Sequence, residues 1–407
     1  MTTIPRAAAL AAALAVVPAT AAVTPTTLSG PGSQPASWSI PAGDAVAWTT
    51  ASGETWGATA TDGVWSPASA IAPTALFGLA AGGGSTLALT VDVVTGGFAP
   101  EVREAGAGGA WTPVPGLEGR SARGGAAVAV NARGEGLVAW ATLADPSGRY
   151  RVFVAWRRPG GAWSAPKQLG RKFRMGEGET GLRAALDDAG RGTVTWTSRG
   201  RITAAVGVVF GKWAAPRTYG TGSATVVAAG SRTVVAWVEG RQRVIRIATM
   251  GAFRLSPPRT VLVAPAGIAI ADVYPAVGPD GTAVVAYTPQ RIRPGTGTTV
   301  RRAAITRSPA GAWSRPVTLS PPAPAVRGIP WTTASVARDG TLAVAWRQAD
   351  HIEARTRRIG GAWAPVTVPG TVTGSAIPTA APSPAAGARL TWVDSARVVR
   401  VVDLPAP

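Results

Sequence analysis

The chain has no cysteine, one histidine and four tyrosines in 407 residues. Without cysteine it can form no disulfide, perform no thiol chemistry and build no cysteine-ligated metal site. The single histidine, His351, cannot supply a metal site that needs several histidines. After the first twenty residues there is no apolar stretch long enough to span a bilayer. We therefore expect no membrane span, no metal site and no cofactor.

The first 21 residues have the composition of a secretory signal peptide. Arg6 supplies a positive charge, residues 7–17 form an alanine-rich apolar stretch, and residues 19–21 have the small-x-small pattern of a cleavage site. A membrane anchor is the alternative, but about 15 apolar residues are fewer than the roughly 20 that cross a bilayer. The sequence predicts a signal peptide over 1–21 and a secreted domain over 22–407.

The formal net charge is +19, and only three of the 40 basic residues are lysines. Such an excess of arginine favours either an anionic partner, such as nucleic acid, a cell-wall polymer or an acidic polysaccharide, or an arginine-rich coding bias. Clusters such as residues 171–174 and 241–246 have no interleaved stacking aromatics and belong to no nucleic-acid-binding motif. We expect no specific nucleic-acid binding, only salt-sensitive adhesion to polyanions.

A repeat of about 48 residues runs through the mature chain. Its clearest copies are residues 280–319 and 339–368. Each copy reads as four strands: a small-residue strand A, an apolar strand B that ends in an aromatic, an alternating strand C, and a strand D of the form "RPVTL". A Gly-x-Trp turn joins strands C and D, and turn glycines such as Gly160, Gly161, Gly311 and Gly360 suit the positive φ of tight hairpins.

The aromatic positions recur with the repeat and predict its core. Strand B is apolar on both faces, which indicates a strand buried between two neighbouring sheets. We therefore predict that the twelve tryptophans at repeat positions pack in the core instead of stacking on a ligand. The strand B positions are Trp48, Thr90, Trp140, Trp196, Trp237, Tyr287, Trp346 and Trp392, and the C–D turns lie at Trp65, Trp111, Trp163, Trp213, Phe253, Trp313 and Trp363.

The two chain ends complement each other. The last unit contains strands A, B and C but no strand D, while residues 24–28 ("TPTTL") match the strand D pattern and belong to no other unit. Pairing these two segments would close the ring and leave no open blade edge. The sequence predicts an all-β, eight-bladed β-propeller of four-stranded antiparallel blades, closed by an N-terminal strand. Seven blades is the alternative if the second unit, residues 75–111, is an insertion.

Residues 160–169 ("GGAWSAPKQL") and their counterparts resemble the sialidase-type propellers with bacterial-neuraminidase repeats. In that family an Asp-box, Ser-x-Asp-x-Gly-x-Thr-Trp, occupies the same C–D turn. The Ser and Asp of the box are absent from nearly every unit here, and residues 62–65 come nearest to it. The resemblance implies the propeller fold. It also implies, for a sialidase-like site, three arginines on a carboxylate, a tyrosine with a glutamate, and an acid/base aspartate, but the Phe/Tyr-Arg-Ile-Pro motif is missing.

Ligands of propellers generally bind on the face that carries the D–A and B–C connections, which we call the channel face. Residues that break the repeat pattern there are candidate ligand-binding residues, with an indole beside arginines and carboxylates suiting a sugar. Trp331 could instead plug the channel, and His351 could be a solvated residue of a B–C loop. The candidates are Arg123, Glu177, Glu179, Arg183, Asp272, Tyr274, Arg327, Trp331 and His351.

Three functions remain open on these residues. The first is an exported, non-catalytic propeller, expected to be a monomer, that binds a glycan, a cell-wall polymer or a protein on its channel face. The second is a sialidase-like glycoside hydrolase or a polysaccharide lyase that uses Glu177, Glu179, Asp272 and Tyr274. The third is a scaffold for protein interaction without a defined pocket. We predict no catalytic residue under the first hypothesis.

Overall fold

The computed structural model contains strands and turns only, with no helix, over the residues it describes. These are residues 21–22, 25–30, 35–94, 97–105, 110–114, 125–145, 147–174, 181–239, 242–251, 254–293, 297–325, 332–372, 378–383 and 387–405. Residues 1–20 lie outside them, so the signal peptide stays a prediction. None of these described ranges forms a helix that could cross a membrane.

Eight sheets form eight blades, and the four main strands of each blade are antiparallel. Two short strands precede them, β1 (Ala21–Ala22) and β2 (Thr26–Thr27). Blade 1 contains β3 (Pro35–Ala42), β4 (Ala45–Thr50), β5 (Thr55–Thr61), β6 (Val64–Trp65) and β7 (Ser69–Ala72); blade 2 contains β8 (Ala75–Gly82), β9 (Ser85–Val94), β10 (Gly97–Ala105) and β11 (Trp111–Pro113); blade 3 contains β12 (Ala126–Val130), β13 (Gly136–Asp145), β14 (Arg149–Arg157) and β15 (Lys167–Arg174); blade 4 contains β16 (Arg183–Leu186), β17 (Arg191–Ser198), β18 (Arg201–Val208) and β19 (Arg217–Thr221).

The remaining blades repeat this order, with additions in blades 6 and 7. Blade 5 contains β20 (Ala224–Ala229), β21 (Arg232–Glu239), β22 (Val244–Thr249) and β23 (Arg259–Val263); blade 6 contains β24 (Ala269–Val277), β25 (Ala283–Arg293), β26 (Gly297–Val300), β27 (Ala303–Arg307), β28 (Val317–Thr318) and β29 (Ala323–Pro324); blade 7 contains β30 (Thr332–Val336), β31 (Leu342–Gln348), β32 (His351–Arg357) and β33 (Ala364–Thr371), with β1 parallel to β33; blade 8 contains β34 (Thr379–Pro382), β35 (Ala388–Val393), β36 (Val399–Leu404) and β2.

The N-terminal strand closes the ring. Strand β2 pairs antiparallel with β36, with Thr26 opposite Val401 and Thr27 opposite Arg400. The Leu28 amide donates to the Val399 carbonyl at 2.9 Å, and its side chain is buried. The predicted eight-bladed, N-terminally closed propeller is confirmed.

The weak second unit is a complete blade. Strands β8 to β11 form a four-stranded sheet in the order β11-β10-β9-β8. Its strand B position is Thr90, which is fully buried although it is not aromatic. The seven-blade alternative is therefore wrong. The second unit has the strand pairing and burial of a blade, although a threonine occupies its strand B aromatic position.

The strand B tryptophans lie in the core between blades, as predicted; Trp48, Trp237 and Trp346 are completely buried. Glycine makes room for the second set of indoles. A Cβ at Gly207 would lie 2.3 Å from the Trp213 ring. Any side chain at position 207 would therefore clash with this indole, and glycine avoids the clash. Trp213 is half-buried, as are the turn tryptophans of blades 1, 6 and 7.

The C–D turns of blades 1, 3 and 6 share one hydrogen-bonding arrangement. A serine after the tryptophan accepts a hydrogen bond from a strand C amide, as Ser314 does from Thr306 at 3.0 Å and Ser164 from Trp156 at 3.2 Å. The turn glycine before it has positive φ, for example +93° at Gly311. Gly160 and Gly360 are also at positive φ, but the expectation for Gly161 was wrong.

Blade 6 departs from the predicted strand C over residues 300–306. The structure splits this strand into β26 and β27, both paired with the long β25, with Arg301 and Arg302 between them. Pro289 on β25 has no amide to donate at this point. The Arg302 amide donates instead to the Ser320 hydroxyl at 2.9 Å. The break matters because it places the buried Arg302 beside the channel strand of the same blade.

Candidate functional site

The first strand of each blade lines the channel. These inner strands contact one another in sequence around the ring, from β3 through β8, β12, β16, β20, β24, β30 and β34 back to β3. They consist almost entirely of alanine, valine, threonine and other neutral residues. Within the described inner strands only Arg183, on β16, and Asp272, on β24, are charged.

A β-bulge positions Asp272. Ile270 pairs with Pro289 and Val273 pairs with Tyr287, so that Ala271 and Asp272 together oppose the single residue Thr288. A bulge of this kind turns one side chain out of the regular alternation and is common near functional sites. The side chain and the backbone amide of Thr288 both face the Asp272 carboxyl and favour its ionised form, while the Thr288 hydroxyl is also hydrogen-bonded to the Thr332 hydroxyl of blade 7 at 3.0 Å.

The Asp272 carboxylate is buried without a hydrogen bond of normal geometry. Both of its oxygens are closed to water and accept no such bond from the described residues. Burial raises the pKa of Asp272 to about 7, while Thr288 and the cationic Arg302 act in the opposite direction. The proton on this carboxyl is therefore gained and lost near neutral pH.

Tyr274 is electrostatically coupled both to Asp272 and to Arg183. Burial and then the negative charge of Asp272 raise the pKa of Tyr274, so its phenol stays protonated. Burial lowers the pKa of Arg183, and Tyr274 opposes that shift. Arg183 is on blade 4 and Tyr274 on blade 6, so their coupling reaches across the channel past blade 5. Protein atoms surround Arg183 on most sides, which lowers its pKa, but its side chain is still accessible to solvent.

The cluster extends outward through a residue that the sequence argument missed. Arg302 is 4% exposed; burial lowers its pKa, and Asp272 and Glu353 oppose this. Glu353 of blade 7 in turn lies 3.4 Å from the His351 Nε2 atom. Arg302 thus connects the channel carboxylate to the hairpin that carries His351. Pro289 in an otherwise regular strand B was the available signal for the break that places Arg302 here.

The structure brings together only some of the predicted residues. Arg183 and Asp272 are each electrostatically coupled to Tyr274, and His351 is linked to them only through Glu353 and Arg302. His351 is the first residue of β32 and not part of a B–C loop, because the hairpin between β31 and β32 is only two residues long. The other candidates, Arg123, Glu177, Glu179, Arg327 and Trp331, lie outside the described residues.

The described residues contain no group of three or more histidine, aspartate or glutamate side chains placed to hold a metal ion. The coupled groups are a solvent-accessible guanidinium, a protonated phenol and a buried carboxyl with a pKa of about 7. Groups with shifted pKa values in a cleft are typical of functional sites, although ion-pair networks also produce them.

No family model matches the sequence, and no curated protein matches it. Solved structures do resemble it. BamB from Moraxella catarrhalis is 13% identical with a TM-score of 0.45, covering 94% of this chain and 100% of that one. The α-L-arabinofuranosidase Arb93A from Fusarium graminearum is 11% identical with a TM-score of 0.38, covering 68% and 91%.

A polysaccharide lyase of family PL25, an ulvan lyase, is 11% identical with a TM-score of 0.39, covering 63% of this chain and 77% of that one. Likeness at this level assigns no activity. The eight-bladed fold is established by the strand pairing, whereas the sialidase-like type and its Asp-box turns are not confirmed.

Proposed function

We propose that this protein is an exported, non-catalytic propeller that binds a glycan with acidic substituents on its channel face. The observation that carries this proposal is that the only two charged residues on the described inner strands, Arg183 and Asp272, are each electrostatically coupled to Tyr274. A structural role would require the buried carboxylate to be paired, as buried charges in folded proteins usually are. Among the described residues, the Asp272 oxygens have only Thr288 and the charge of Arg302 near them, without a hydrogen bond of normal geometry.

Each group has a distinct part in such binding. The exposed Arg183 guanidinium can form a two-pronged hydrogen bond with a carboxylate on the glycan. The protonated Tyr274 phenol can donate to a sugar hydroxyl and present its ring to the sugar face. Asp272 is closed to solvent and acts behind them as a positioning residue, since its charge is coupled to Tyr274.

The test is binding of the mature protein to an array of neutral and uronic-acid-containing glycans, followed by calorimetry on the strongest ligand. Arg183→Gln should lower affinity for an acidic glycan about tenfold, because a charged bidentate contact is lost. Tyr274→Phe should lower it by a smaller factor, because only a hydroxyl is removed.

The matched control is Arg338→Gln, which removes an exposed arginine from the turn between β30 and β31 at the opposite end of the blades. It should leave affinity within about twofold. Retention of no glycan by the wild-type protein, or equal losses in the two arginine variants, would contradict the proposal. A protein ligand captured through Arg183 would favour the scaffold hypothesis instead.

Catalysis is the second candidate, and one observation favours it. A carboxyl with a pKa of about 7 is suited to exchange protons in general acid–base catalysis at neutral pH. Glu177 and Glu179, the other proposed participants, lie outside the described residues. Release of reducing ends or of unsaturated uronate products from any glycan that binds, lost in Asp272→Asn, would establish an enzyme; binding without turnover would exclude it for that glycan.

Export is part of the proposal and has its own test. The composition of residues 1–21 supports a cleaved signal peptide. N-terminal sequencing of the protein recovered from outside the producing cells should begin at residue 22. Recovery only inside the cells with residue 1 retained would contradict export without affecting the channel site.

A further inference from the structure

A cavity of about 600 Å³ opens between blades 5 and 6, and we call it the cleft pocket. One wall comes from the end of β23 and the loop that follows it, through Leu262, Pro265 and Ile268. The other wall comes from β25 and from the split strand beside it. The pocket therefore lies where the extra strands of blade 6 leave the regular repeat.

The register of blade 6 decides which side chains form its wall. Tyr287 lies opposite Ala303 in the β25–β27 ladder. Beyond this ladder the Arg301 amide donates to the Pro289 carbonyl at 3.0 Å, which keeps the same register through the break. Side chains alternate between the two faces of a strand, so Tyr287, Pro289 and Arg291 share one face. All three line the cleft pocket, together with Arg301 and Ala303.

Tyr287 gives the pocket a polar group at its deep end. It occupies the strand B position that holds a tryptophan in six other blades. It is 5% exposed, and burial alone raises the pKa of Tyr287 to about 12. No hydrogen bond and no charged group among the described residues contributes to that shift. A buried hydroxyl without a partner is costly, and a ligand in the pocket would supply the partner.

Two arginines lie at the other end. Arg291 and Arg301 are both exposed, and the described lining residues include no acid. Arg291 is four residues along β25 from Tyr287, which is about 13 Å at the usual rise of a strand. Between these ends the lining is mainly proline and aliphatic. The cleft pocket thus combines a hydroxyl at its base, an apolar middle and a cationic mouth.

We propose that the cleft pocket binds a small aromatic carboxylate that carries a hydroxyl group at the end opposite to the carboxylate. The carboxylate would accept charge-assisted hydrogen bonds from Arg291 and Arg301. The ring would lie between the apolar walls, and its hydroxyl would pair with that of Tyr287. A fatty acid would fill the same space but leave the Tyr287 hydroxyl without a partner. The proposal does not rest on the channel site, since the two sites share no residue.

The experiment measures binding of three probes by calorimetry: 4-hydroxycinnamate, cinnamate, and the methyl ester of 4-hydroxycinnamate. The wild-type protein should bind 4-hydroxycinnamate about fivefold tighter than cinnamate, because only the former pairs with Tyr287. It should bind 4-hydroxycinnamate about tenfold tighter than the ester, because the ester has no charge for the arginines.

Each variant should remove one of these preferences. Tyr287→Phe should bring 4-hydroxycinnamate and cinnamate within about twofold of each other, since it removes only the hydroxyl. Arg301→Gln should reduce the preference for the acid over the ester several-fold. The matched control Arg338→Gln removes an exposed arginine far from the pocket and should change no affinity by more than about twofold. Arg183→Gln, which alters the channel site, should likewise leave these affinities within about twofold.

Four outcomes would overturn the proposal. The first is that the wild-type protein binds none of the probes. The second is that octanoate binds as tightly as 4-hydroxycinnamate, which would replace the aromatic ligand by an acyl chain. The third is a hydroxyl preference that survives in Tyr287→Phe, and the fourth is equal losses in Arg301→Gln and Arg338→Gln. Should Tyr287→Phe unfold, the acid and ester are compared in Arg291→Gln, where the preference for the acid should also fall.

Discussion

Arg389 at the seam between blades 8 and 1 and Asp272 in the channel are both buried charges, but their surroundings are opposite. Arg389 donates to both Asp403 oxygens at 2.9 and 3.0 Å, to the Gly43 carbonyl and Asp44 of blade 1, and lies 4.8 Å over the Trp65 ring. Asp272 accepts no well-formed hydrogen bond from the described residues. Hydrogen-bonding a buried cation through all three of its nitrogens makes it part of the architecture, whereas a buried carboxylate without a well-formed hydrogen bond is retained at a cost that function can explain.

The comparison predicts that the seam is the more sensitive region. The largest effect should come from deleting residues 24–28 from the mature protein, which removes β2 and the buried Leu28 side chain. Loss of one buried leucine and of the hydrogen bonds to β36 should cost roughly 3–6 kcal/mol of unfolding free energy. Denaturant unfolding measures it, with Thr26→Ala/Thr27→Ala as a control that keeps the strand. An unchanged unfolding midpoint in the deletion would show that the ring does not depend on this closure.

The next effect in size should follow Arg389→Met, which keeps most of the side-chain volume but removes the charge. Asp403 and Asp44 would lose their partner while staying partly hydrated, so about 2–4 kcal/mol of stability should be lost. Thermal unfolding followed by tryptophan fluorescence measures the loss. Arg338→Met, at an exposed turn, should change stability by less than about 0.5 kcal/mol. Equal effects of the two substitutions would remove the distinction between a partnered buried charge and a surface one.

The closure of the ring at the seam could be predicted from the sequence because the blade unit repeats along the chain. The missing strand D of the last unit and the orphan "TPTTL" segment are each visible only against seven other copies. The same comparison identified Arg183, Asp272 and Tyr274 as departures from the repeat pattern on the channel face. Repetition therefore predicts both the fold and the positions where it is interrupted.

The repeat could not predict the split of strand C in blade 6 into β26 and β27. Arg302 lies in a segment that reads as an ordinary alternating strand, and its burial follows from Pro289 and from the Ser320 hydroxyl, eighteen residues away. The bulge at Asp272 likewise depends on a register shift, which periodicity does not encode. Tertiary pairing decided these details, and the electrostatic cluster depends on them.

A smaller and pH-dependent effect should come from Asp272→Asn. The carboxyl has a pKa of about 7 in the folded protein against 3.8 for an aspartate side chain in water, so the folded state holds its proton more tightly. Wild-type stability should therefore fall as pH rises from about 4 to 7, and the variant should lack this fall. At pH 8 the variant should be more stable by about 1–3 kcal/mol, and at pH 4 nearly equal. Urea unfolding at both pH values checks this; a variant less stable at pH 8 would mean that the carboxylate has a structural partner.

The smallest effect should be that of His351→Gln, and it marks where the channel site ends. His351 is exposed, and its ring nitrogens face Asp350 at 3.2 Å and Glu353 at 3.4 Å within the same hairpin. Its hydrogen bond lowers the pKa of Asp350, a fully exposed carboxyl, so little folding energy depends on it. Stability should change by less than about 0.5 kcal/mol, and affinity for an acidic glycan by less than about twofold. Glu353→Gln should have the larger effect on affinity, because Glu353 is coupled directly to the buried Arg302. If His351→Gln weakens binding as much as Arg183→Gln does, the binding site extends to the outer hairpin of blade 7. The charges of that hairpin and of the channel would then contribute to the same site.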